Sequence, residues 1–161
     1  MNKRLFLRVG SAATLVVLSA CATTPPLASI AETAARTPQL STLSRLIGEA
    51  GLTATLQGPG PFTVFAPNDE AFKAVPPETL AKLAKDKDLL KSVLTYHVLP
   101  GKVTSAELKS GSAKTVQGAS VALSKAGNFV TIEDAVVVNA DVPATNGVIH
   151  IVDRVLIPPK K

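Results

Sequence analysis

One thiol and two imidazoles are all the soft nucleophiles and metal ligands that this 161-residue chain holds: Cys21, His97 and His150. A hydrolase needs a nucleophile, a base to activate it and donors for the oxyanion. No Gly-x-Ser-x-Gly occurs. A zinc site takes three or four ligands. Two isolated histidines, with no His-x-x-x-His spacing and no clustered carboxylates beside them, do not supply them. Glu133-Asp134 is the only adjacent acidic pair in the second half. It falls where a turn is expected and reads as solvated. Gly58-Pro59-Gly60-Pro61 is a rigid break, whereas a phosphate loop exposes backbone amides ahead of a helix. Lys82, Lys85, Lys87 and Lys91 are interleaved with Asp86 and Asp88, the pattern of a solvated helical face. The alternative for those lysines is contact with anionic lipid or polysaccharide. The expectation is a chain with no catalytic residue, no cofactor and no metal.

Cys21 has a different use. Lys3, Arg4 and Arg8 form a basic start, and Val9 to Ala20 carries no charge. That apolar run is too short for a stable bilayer span and fits a cleaved export signal. Leu18-Ser19-Ala20-Cys21 is similar to the lipobox of bacterial lipoproteins. Small residues before the cysteine let the chain enter a peptidase cleft, and the thiol is the side chain there able to take a diacylglycerol. Residues 1–20 are then a signal peptide, and the mature chain begins at a lipidated Cys21. The same segment also fits an ordinary secretory signal cut after Ala22. If the source has two membranes, Ala22 rather than aspartate after the cysteine leans towards the outer membrane, facing periplasm or surface. A soluble periplasmic or secreted protein is the alternative.

The signal distorts the charge. Without Lys3, Arg4 and Arg8, 14 of the 17 basic residues remain against 12 acidic ones, a net charge of about +2. That balance, with no tryptophan and 4% aromatics, gives no reason to expect nucleic acid. The 141 residues from Cys21 onward suit one domain with one core. With the sole cysteine lipidated, that core holds by packing alone.

The elements follow from spacing. Residues 21–28, with Thr23-Thr24-Pro25-Pro26, read as a polar, proline-stiffened tether. The domain occupies 29–158, and 159–161 is a basic tail. Thr37 is expected to cap a helix with Pro38 at its first position and Leu40, Leu43, Leu46, Ile47 and Ala50 on one face, ending at Gly51. A short helix over 52–56 is expected next, then a buried strand over 62–66. Asn68 caps a brief helix, Pro76-Pro77-Glu78 opens another, and Asp86 caps a third with Leu89, Leu90, Val93 and Leu94 on one stripe. That third helix is expected to run through Tyr96-His97 to Pro100-Gly101. The second half alternates. Strands are expected around Val121 and Leu123, over 129–132 after an Ala126-Gly127-Asn128 turn, over 136–138, over 148–152 and over 155–157. Helices ahead of a mostly antiparallel half make the class α+β.

Three blocks carry a resemblance. GPFTVFAPNDEAF (60–72), LLKSVLTYHVLPGKV (89–103) and NGVIHIVDRVLIP (146–158) resemble, in order and spacing, the two signature blocks and central Tyr-His motif of the fasciclin domain. The resemblance covers nearly all of 29–158. It implies a wedge-shaped β-sandwich flanked by several helices, an exported location, adhesion or matrix interaction, and no catalytic centre or cofactor. Within these blocks Phe62 and Phe65 are core candidates, Pro67 fixes a strand exit, Asn68 satisfies open amides, and Asn146-Gly147 is a turn pair. Period two places His150 beside Val148 and Val152, as a neutral core histidine. In animal relatives the stretch around the Tyr-His pair is linked to integrin-type adhesion, and Asp88, Leu89, Tyr96 and His97 are the matching candidate interaction residues here. Apolar Leu94, Val98 and Leu99 favour the other role for Tyr96 and His97, with rings buried and polar tips bonded.

The combined expectation is a non-enzymatic, lipid-anchored envelope module, monomeric, binding an extracellular protein or polysaccharide. The alternative is a periplasmic carrier or sensor of a small apolar ligand in a pocket between helices and sheet.

Overall fold

The computed structural model describes residues 27–158. The expected signal peptide, Cys21 and the expected tail at 159–161 lie outside the described residues. All six α-helices among the described residues fall between residues 30 and 96. A capping box opens α1 (Ile30–Arg36): Ser29 Oγ accepts the Glu32 amide and the Glu32 carboxylate accepts the Ser29 amide. Ala28, assigned to the tether on sequence, is already buried, and its carbonyl accepts the Thr145 amide at 2.9 Å.

Thr37 does not cap as expected. It ends α1, turning its hydroxyl back onto the Thr33 carbonyl at 2.8 Å, and a 3₁₀ turn at Pro38–Leu40 leads into α2 (Ser41–Glu49). The carboxylate of Asp69 instead receives the Thr42 amide and the Ser41 hydroxyl, at 2.9 and 2.8 Å. Next come α3 (Thr53–Gln57), β1 (Phe62–Pro67), α4 (Asp69–Ala74), α5 (Pro77–Lys85) and α6 (Lys87–Tyr96). Asn68 caps α4 through the Ala71 amide at 2.7 Å, and Asp86 caps α6 through the Asp88 and Leu89 amides. Leu89 is not on the buried stripe: it sits in the first turn, 39% exposed, while Leu90, Val93 and Leu94 face the core.

Helix α6 stops earlier than its apolar pattern suggests. His97 is its C-cap, and Val98–Pro100 is a strand, β2, antiparallel to β1. The remaining strands are β3 (Gly111–Lys114), β4 (Ser120–Ala126), β5 (Phe129–Ile132), β6 (Ala135–Ala144) and β7 (Gly147–Val152). The sheet order is β2-β1-β7-β6-β5-β4-β3. Two sequence expectations fail here. β6 runs well past Val138, with register shifts between Val137 and Val142 that hid its period. Val155–Ile157 forms no strand.

Strand β7 sits between β1, in parallel, and β6, antiparallel. All six of its residues are buried, because both faces of the central pair are covered. On one face Val64, Ala66, Ile149 and Ile151 pack against the helices. On the other, Phe65 and Val152 meet Tyr96, Leu99, Val121, Ile132, Ala135 and Leu156. β6 belongs to both halves: Ala135 and Val136 pair with β5, and Val137 to Ala144 with β7. Its bulges turn the sheet so that β3–β5 fold back over the second face. The Val116 amide donates to the Val98 carbonyl at 2.8 Å and brings the two sheet edges together. The class is α+β, a wedge of folded sheet with helices on one side.

Candidate functional site

The residues singled out on sequence fall into three places. The first is the junction of α6 and the segment after β7. His97 is buried there. Its Nδ1 lies 2.7 Å from the Val93 carbonyl, and the Leu156 amide donates to Nε2 at 2.9 Å. A carbonyl on one side and an N–H on the other admit one arrangement, the neutral ring with its proton on Nδ1. Burial pushes its pKa down to about 4. Both ring nitrogens are used by main chain, so the imidazole can neither take a substrate proton nor bind a metal. Tyr96 is buried beside it, its hydroxyl 3.4 Å from the Ser120 carbonyl. Burial, with the Glu133 carboxylate next to it, raises the phenol pKa. Asp88 and Leu89 lie at the opposite end of α6 from this pair and do not share a site with it.

The second place holds His150, stacked on Phe65 with ring centroids 5.5 Å apart. Its Nε2 lies 2.9 Å from the Val103 carbonyl, and its Nδ1 accepts the Asp141 amide at 3.2 Å. Burial lowers its pKa. Ser105 and Asp141 are close by, and serine, acid and histidine invite comparison with a nucleophilic triad. The connectivity is wrong for one. The Ser105 hydroxyl donates to the Asp141 carboxylate, not to the imidazole. Asp141 reaches His150 through its backbone, and no imidazole faces the serine. Burial would push the Asp141 carboxyl up, but the Ser105 hydroxyl and amide outweigh it and hold it low. The cluster is a clasp on the 101–108 loop. Thr63, fully buried, completes it by donating to the Gly101 carbonyl at 2.7 Å and accepting the Val103 amide at 2.8 Å. Lys125 Nζ also donates to the Ser105 carbonyl, at 2.6 Å. Replacing His150 by Ala leaves the Asp141 amide and the Val103 carbonyl unpartnered, and should cost about 2–4 kcal/mol. An unchanged midpoint in urea denaturation would refute this buried assignment.

The third place is Asn146. Its Oδ1 accepts the Ile30 amide at 2.9 Å, and its Nδ2 donates to the Leu56 and Gly58 carbonyls at 2.6 and 3.0 Å. One side chain ties α1, α3 and the Gly-Pro break to the β6–β7 turn. Sequence reasoning saw the turn but missed the hub, because its partners lie 88 to 116 residues away. Thr63 and Asp141 were missed too. Asp141 takes φ 57°, a region that aspartate tolerates better than most residues, but no local sequence pattern gives that angle. Phe62 and Pro67 lie at the two ends of β1.

Two cavities flank these groups. An apolar one between α2, α3, α6 and β1 has room for about 30 Å³, enough for a water or two rather than a ligand. An open cleft of about 470 Å³ lies beside Tyr96, Glu133, Asp134 and Arg154. Among the described residues no three His, Cys, Asp or Glu side chains converge on a metal position, and no helix is long and apolar enough to cross a membrane.

A family model of the fasciclin domain matches residues 38–158. This chain belongs to the fasciclin domain family. The fasciclin domain here is 42% identical over 133 residues to protein sll1483 of Synechocystis, covering 81% of this chain and 74% of that one. It is 36% identical over 135 residues to the cell surface glycolipoprotein MPB83 of Mycobacterium bovis, covering 81% of this chain and 60% of that one. The fold is shared with a domain pair from the insect cell adhesion molecule fasciclin I. That match has a TM-score of 0.66 at 19% identity and covers 81% of this chain and 51% of the pair.

Proposed function

We propose that this fasciclin domain is a lipid-anchored, non-enzymatic interaction module of a bacterial envelope, binding an extracellular protein or polysaccharide. The observation that carries the reading is the state of the two histidines. Each is held neutral with both nitrogens bonded to main chain, so the chain's best candidate bases are spent on the fold. What remains for function is surface. Relatives named as a cell surface glycolipoprotein and a cell adhesion molecule support this direction. The anchor rests on Leu18-Ser19-Ala20-Cys21. A lipoprotein cysteine carries several acyl chains, and more than one is needed for stable attachment. Cys21→Ala should therefore move the protein from the membrane pellet to the soluble fraction. Retention in the pellet would refute the anchor. Protease treatment of intact against lysed cells then tests the side: digestion on intact cells supports an adhesion role outside, and protection until lysis supports a periplasmic partner.

A further inference from the structure

We infer that the cleft beside Arg154 is a strand-docking site that takes an extended peptide segment of a protein partner. This rests on the interaction-module reading and narrows its partner class to protein. Val155-Leu156-Ile157 has the composition of a strand. It also alternates like one: Val155 packs against the helix-side core, Leu156 against the second core, and Ile157 is 57% exposed. Yet it pairs with no strand. The Leu156 amide is held inward by His97, while the amides of Arg154, Val155 and Ile157 meet no acceptor among the described residues. In an extended chain, successive residues point their amides to opposite sides. The inward bond at Leu156 thus leaves the Val155 and Ile157 amides on the side away from His97, on a segment that lines the cleft. Such a row of open main-chain groups is a template for another chain.

The cleft has the size and charge for that occupant. It has room for about 470 Å³, and Asp134 and Arg154 both line it, beside Glu133, whose carboxylate accepts the Ala122 amide. Neither Asp134 nor Arg154 makes an ion pair among the described residues. A peptide with one basic and one acidic side chain satisfies both, and its apolar side chains cover Ile157. A sugar ring is a poorer fit. Its C–H face needs an open aromatic face, and the only aromatic in the wall, Tyr96, is 3% exposed. The cleft also faces the right way. β7 starts at Gly147, next to the turn that bonds Ala28, and ends at Val152, so the cleft lies at the pole opposite to where the chain joins its N-terminal segment.

The test is selection of random dodecapeptides displayed on phage against the full chain, with counter-selection on Ile157→Pro. Proline removes one outward amide at an exposed position, and thermal melting confirms that the variant folds. A selected peptide, synthesised and titrated, is expected to bind Ile157→Pro about tenfold more weakly and Ile157→Val nearly as well as wild type. Arg154→Glu should weaken binding by a similar factor and regain it with a peptide whose acidic residue is changed to lysine. Binding indifferent to Ile157→Pro overturns the inference, as does a selection with no enrichment. If no peptide is enriched while the chain still binds immobilised polysaccharide, this inference falls and the interaction-module reading stands.

Discussion

Gly147→Ala should abolish the stable fold. A methyl group built on Gly147 would lie 1.9 Å from the Phe62 carbonyl oxygen and 3.0 Å from Ile30 Cδ1. The first distance is far inside contact, and the atom it meets is backbone. Phe62 and Gly147 are also register partners in the parallel β1–β7 pair, so neither strand can back away without opening the centre of the sheet. The expected cost is about 4 kcal/mol or more, a large share of the 5–15 kcal/mol typical of a domain. Gly48→Ala is the contrast. Nothing lies within 4 Å of its added methyl group, and it sits inside α2. There alanine should stabilise by about 0.5–1 kcal/mol. Urea denaturation of both variants reads the difference. A Gly147→Ala protein that melts within a few degrees of wild type would mean the β1–β7 contact is looser than described.

The second large effect is acid destabilisation from His97. In the unfolded chain the ring titrates near 6.5, and in the fold burial holds it at about 4. Between those values the unfolded state binds more protons than the folded one, so stability rises with pH across that window. The contribution is complete above about 6.5 and is lost as pH falls towards 4. The 2.5-unit gap corresponds to about 3 kcal/mol. His150, also lowered by burial, acts with the same sign. Glu32, Asp69, Glu107 and Asp141 are held below their ordinary values, so their losses come at more acid pH, below about 4.5. Urea midpoints measured from pH 7.5 to 4.5 should fall steadily, and His97→Gln should flatten much of that slope. A wild-type profile that is flat over this range would contradict the buried, neutral ring.

Local signals in the sequence were reliable where one residue answers to its near neighbours. Asn68 and Asp86 cap as their positions suggest, because a cap is a contact over two or three residues. Continuous apolar runs announced β1 and β7, since a strand covered on both faces needs no polar side. What stayed hidden depended on distant chain. β3 is four small or polar residues whose strand character comes from pairing with β4. β6 loses its period at its bulges. Val98–Pro100 looks like the end of an apolar helix until the antiparallel bond to β1 takes it. Val155–Ile157 is the reverse case, a strand by composition that has no partner in its own domain. For the site, His150 was readable as a core histidine from the valines on either side. The loop it clasps was not, because Val103 lies 47 residues away.

The position of β7 has a consequence for the order of folding. An interior strand of the sheet, β7, is the last strand among the described residues, and it closes on β1, whose register partners are 85 residues earlier. Until Gly147–Val152 is made, β1 lacks its parallel neighbour, Asn146 cannot tie α1 to α3, and His97 has no Leu156 amide to hold. A chain folding from its N-terminal side therefore carries no finished core until that strand arrives. Folding waits for residues 146–156, is dominated by long-range contacts and is correspondingly slow. Late completion leaves β1 as the stretch most exposed to aggregation before β7 covers it.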